Sequence, residues 1–99
     1  MQILALDKIL PGATEEKIMS ILKEEALKGW ELHAAGTFRQ LYFRTDRPGA
    51  VIMMECASVE EARAVLDTLP LVKEGLVDFD IIPLGAFLPL GMLLGAGGH

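Results

Sequence analysis

Cysteine, histidine and tryptophan are scarce in this chain, with one Cys, two His and one Trp among 99 residues. A lone thiol closes no internal disulfide, and Cys56 ends the apolar run Ala50-Val51-Ile52-Met53-Met54-Glu55-Cys56, so a buried, inert sulfur in a reducing, cytoplasmic setting is expected. His33 and His99 are the only histidines and stand at no ligand spacing to each other or to Cys56, so no metal centre is expected. Positive charge is short as well: nine Lys and Arg against 14 Asp and Glu give a net charge of -5. The basic residues are scattered, which speaks against a nucleic-acid partner. The longest uncharged stretch, Ile81 to Gly98, is interrupted by Pro83, Pro89 and several glycines, so no membrane span is expected. Nor does Met1 to Leu10, with Asp7 and Lys8 inside it, read as a secretory signal. No glycine-rich phosphate loop follows a strand, since Gly91, Gly95, Gly97 and Gly98 come after the last one, and no cofactor is assigned.

What the chain has in quantity is apolar surface: 52% of its residues are hydrophobic and only 23% charged. Its length suits one domain. Gln2 to Leu10 reads as a strand stopped by Pro11-Gly12. Thr14 offers an N-cap with Glu15 and Glu16 behind it, and Ile18, Ile21, Leu22 and Ala26 recur at helical spacing up to Gly29, the expected stop. Residues 31–36 could finish the helix or lead into the next strand, and are taken as loop. Thr37 to Arg44 and Ala50 to Cys56 flank the turn Asp46-Arg47-Pro48-Gly49 and predict an antiparallel hairpin. Ser58-Val59-Glu60-Glu61 is a capping box for a helix along Ala62, Val65, Leu66 and Leu69, ended by Pro70. Val77 to Leu84 reads as the last strand.

The order βαββαβ predicts an α+β, ferredoxin-like domain over residues 1–87, with both helices on one face of an antiparallel sheet. The strand at Ala50 to Cys56 is apolar on both alternating sets, so its second face needs a cover, and a homodimer of stacked sheets is expected. Residues 88–99, apolar yet rich in glycine, predict an arm laid over a neighbouring subunit, with a flexible end as the plainer alternative.

Several of these residues resemble those of muconolactone isomerases and their relatives: Gly36-Thr37-Phe38-Arg39-Gln40-Leu41-Tyr42, the Arg47 turn, the strand ending in Glu55, and Leu69-Pro70-Leu71 with Asp78 and Pro83-Leu84. The resemblance runs from Gly29 to Phe87. It implies a ferredoxin-like fold that dimerises into an α+β barrel, with neither metal nor organic cofactor, and proton transfer that isomerises a small unsaturated lactone. The wider superfamily also holds cofactor-free monooxygenases and proteins of no known activity.

Proton transfer beside a carbonyl needs a base and a group that holds the enolate oxygen. The available side chains are His33, Glu55, Asp80, Arg39 and Tyr42. Glu55 stands out as a carboxylate closing an apolar strand, where desolvation would raise its pKa; the plainer reading pairs it with Arg39 or Arg44. His33 is the second candidate base, against the plainer reading of a surface histidine. Arg39 is the candidate clamp for a substrate carboxylate, or else an intersubunit ion pair. Tyr42 and Phe38, at period-two spacing, would form a binding wall or plain core. The competing functional class is a non-catalytic oligomeric module whose interior Met53, Met54 and Phe79 fill; a cavity of several hundred Å³ with convergent polar groups would favour the enzyme.

Overall fold

The computed structural model describes residues 1–95. Strand β1, Gln2–Ile9, is followed by helices α1, Glu15–Ser20, and α2, Leu22–Ala34. Thr14 caps α1 as expected, its hydroxyl accepting the Lys17 amide at 3.2 Å. The helical stretch then breaks at Ile21, whose φ of -123° leaves the helix, and resumes. It does not stop at Gly29, which is buried inside α2. The stop comes at Gly36, with φ +84°: its amide donates to the His33 carbonyl and the Thr37 amide to that of Leu32, two bonds that close the helix through a left-handed residue. Most of the segment expected as loop is therefore helical, and His33 belongs to α2.

Strands β2, Phe38–Phe43, and β3, Ala50–Glu55, form the expected hairpin, and α3, Val59–Leu66, begins at its capping box. Ser58 accepts the Glu61 amide at 3.0 Å, and the Glu61 carboxylate reaches back to the Ala57 amide at 3.1 Å. Pro70 opens a short helix of its own, α4, Pro70–Lys73, where its missing N–H costs nothing at the first position. Strand β4, Val77–Pro83, completes a four-stranded antiparallel sheet of order β2-β3-β1-β4, the ferredoxin-like α+β arrangement.

Alternation sorts the sheet into two faces. Ile3, Ala5, Ile52, Met54, Val77 and Phe79 point at the helices and join Ala62, Leu66, Leu69 and Leu71 in the core. Leu4, Leu6, Val51 and Met53 look the other way, onto a face that no helix among the described residues covers. One irregularity changes the sequence-based register: between Phe38 and Gln40 the pairing slips, Phe38 facing Met54 and Gln40 facing Met53. This bulge puts Phe38 in the core and Tyr42, opposite Val51, on the open face, so the two do not share a wall as period-two spacing predicts. Within the expected arm, Leu88–Leu93 form helix α5, all of it exposed. Positions 96–99, His99 included, lie outside the described residues. No helix among the described residues is long and apolar enough to cross a membrane.

Candidate functional site

A cavity of about 420 Å³ lies between α2 and the helix-facing side of the sheet. Phe38, Ile52 and Phe79 form its floor, and Leu69 and Leu71 close one side. Above them, Gly29 supplies no side chain, so the helix leaves room. At the mouth stand Trp30, 65% exposed, and Phe43, 80% exposed.

Apart from Tyr42 on the edge strand, three ionisable side chains interrupt this apolar lining: Asp7, Glu25 and His33. Asp7 occupies a core-facing position of β1, in the alternation Ile3, Ala5, Asp7. Its Oδ1 is buried without a hydrogen-bond partner, and it packs so closely on Gly49 that a Cβ there would come within 2.9 Å of it. Burial pushes the carboxyl above its ordinary pKa, opposed by the Ala50 amide and by the charges of Arg47 and Arg44. Glu25, Gly29 and His33 follow each other at intervals of four along α2 and so share one side of it. Glu25 accepts the Leu71 amide through Oε1 at 2.9 Å, which satisfies a free N–H at the start of α4. Burial raises its pKa as well; the Leu71 bond opposes the shift and the neighbouring Asp7 charge adds to it. The Asp7 charge therefore reaches Glu25.

His33 holds Nδ1 2.9 Å from the Phe38 carbonyl. A carbonyl only accepts, so Nδ1 carries the hydrogen and Nε2 is left for other work. The ring lies tilted against Trp30, with centroids 5.9 Å apart. Phe38 pairs with Met54, which pairs with Ile3, and Asp7 lies further along the same strand, so the histidine and acid ends are separated by about 13 Å of strand.

The remaining sequence candidates lie elsewhere. Glu55, at the end of β3, accepts the Met1 amino group at 2.7 Å, and that bond, with the charge of Arg39, lowers its pKa. The expected rise fails because the carboxylate stays half exposed beside a cation. Arg39 sits in the bulge near Glu55, outside the cavity wall. Tyr42 touches the cavity only from the edge strand, while the register directs its side chain to the open face. Asp80 pairs with Lys8 at 2.9 Å on that same face. Sequence reasoning missed Asp7 and Glu25, although a carboxylate at a core-facing position of a strand is a legible signal. Glu25 was hidden by ending the helix at Gly29, which obscured its relation to His33. Among the described residues no cluster of three His, Cys, Asp or Glu could hold a metal ion.

No protein-family model matches the sequence, and no curated protein matches it. Among solved structures, the fold is similar to that of a 5-chloro-2-hydroxyhydroquinone dehydrochlorinase, TftG, from Burkholderia phenoliruptrix AC1100, determined in complex with 2,5-dihydroxybenzoquinone. The TM-score is 0.68 at 18% identity, over 90% of this chain and 98% of that one. At that identity the likeness is one of fold, and the muconolactone isomerase family is not identified by it.

Proposed function

We propose that this chain is a small-molecule enzyme that moves a proton on a small unsaturated lactone or related carbonyl compound, in the manner of muconolactone isomerases and without an organic cofactor. The observation that carries the reading is the apolar cavity holding two desolvated carboxyls at one end and an oriented imidazole at the other. Glu25 is the base: the Leu71 amide fixes one of its oxygens, the other is available, and its raised pKa brings it closer to the range where proton transfer is efficient. Asp7 tunes it by charge. The carboxylate takes a proton from one carbon and returns it to another, so the reaction is balanced as an isomerisation. His33, about 12 Å along α2 from Glu25, lines the far end of the cavity and takes no part in the proton transfer. Phe38 is proposed to bind the substrate, as the sequence suggested, whereas the role of base proposed there for His33 or Glu55 passes to Glu25. Glu55, Arg39 and Tyr42 pass instead to the proposed subunit interface.

The fold neighbour's dihydroxybenzoquinone is also a small carbonyl compound, which supports a small-molecule substrate for this chain. The active unit is proposed to be a homodimer stacked through the open sheet face, with α5 of a neighbouring subunit laid over the cavity mouth. The test is turnover on unsaturated lactones, read by substrate loss and by deuterium uptake from solvent. Glu25→Gln is expected to lower kcat by about 100-fold or more while the fold is retained. Unchanged turnover in Glu25→Gln would remove the proposal's footing.

A further inference from the structure

The charges around the cavity narrow what it can hold, on the premise that it is the ligand site of the proposed enzyme. Its acid end presents Asp7 and Glu25, and no Lys or Arg belongs to its lining among the described residues. The charges of Arg47 and Arg44 reach Asp7 from outside the lining, and Arg44 is already tied to Asp46 through two hydrogen bonds of 2.9 and 2.6 Å. Arg39, the sequence's candidate for a carboxylate clamp, is outside. The nearby walls are Leu41, Ile52, Leu71 and Phe79, which offer no hydrogen to an anion from their side chains.

From this arrangement we infer that the cavity takes an uncharged, flat ring whose hydroxyl group donates its hydrogen to the Asp7 or the Glu25 carboxyl, and that it rejects carboxylate anions. An anion at that end would be stripped of water, would face like charge and would find no cation in the lining to pair with directly, each of which weakens binding. A hydroxyl gains a short, charge-assisted bond to a carboxylate, and the apolar floor takes the ring. His33 is the lining group that can carry positive charge, but it stands at the far end beside Trp30. An anion drawn to it would leave the acid end untouched.

The experiment is an amide-resolved NMR titration at pH 7 with phenol, anisole and benzoate, rings of similar size that differ in donor and charge. The Leu71 amide, bonded to Glu25, reports the acid end. Phenol is expected to move it, with anisole and benzoate at least tenfold weaker. In Asp7→Asn and in the Asp7→Asn/Glu25→Gln double variant the discrimination against benzoate should shrink to within about threefold, the amide spectrum showing whether each is folded. Benzoate binding as well as phenol to the parent would overturn the inference and leave the enzyme proposal standing. So would discrimination that survives in a folded variant. If no probe at millimolar concentration moves Leu71 or Gly29, the cavity is not a ligand site, and the enzyme reading falls with the inference.

Discussion

Asp7 and Glu25 show how one side chain can work against the fold it belongs to. Each has its pKa raised by burial, so its ionised form weakens the folded state. The stability they allow is fully present below their ordinary carboxyl values and is lost as pH rises through the raised folded ones. Asp46, lowered to about 2 by Arg44, behaves oppositely, and so do Glu55 and Asp78: their contributions are present above the ordinary carboxyl range and lost as pH falls through the lowered values. Asp7→Asn is therefore expected to be more stable than the parent at pH 7, with the advantage gone near pH 3, as urea unfolding at the two pH values would measure. Glu25→Ala has the other sign. It leaves the Leu71 amide without its acceptor and should cost about 1 to 2 kcal/mol at pH 7 by the same measurement.

Among the elements, the ends of helices decide the site. Had α2 stopped at Gly29, His33 would lie in a loop with no fixed relation to Glu25; the helix continues because the sequence offers a better terminus at Gly36. A left-handed glycine there lets the last carbonyls be satisfied, so Gly36→Ala should lower stability by about 1 kcal/mol and loosen His33, visible as a thermal shift and a broadened imidazole resonance. Ser58→Ala should cost about 1 kcal/mol through the lost cap of α3 while leaving the cavity and its ligand affinities unchanged. The β2 bulge has a comparable reach: one slipped residue sends Phe38 and Tyr42 to opposite faces and keeps Arg39 out of the cavity.

At the scale of the whole molecule, the surface is too large for the mass. The chain exposes 6692 Å², against about 5,500 Å² for a compact monomer of this size. Its radius of gyration is 16.1 Å, where about 13 Å is usual. Part of the excess is α5, whose Leu88 and Met92 are 77% and 81% exposed, and whose six residues are too few to hold a helix unaided in water. The open sheet face adds Leu4, Leu6, Val51 and Met53. Both features support the proposed self-association. Sedimentation at micromolar concentration should find the parent as a dimer or larger and Met53→Asp shifted toward monomer; a monomeric parent would end that proposal.

The sequence by itself determined the strands, the hairpin, the capping box and the bare apolar face, because alternation, turn residues and caps act over a few neighbours. It also carried the signal for Asp7, a charge on the inward set of a strand. Which carboxyls share a cavity was decided only by tertiary structure, since Asp7 meets Glu25 through the packing of α2 on the sheet, across many intervening residues. Glu55 was the more conspicuous acid in the sequence, yet its pKa depended on the Met1 amino group, a neighbour in space that no local pattern encodes.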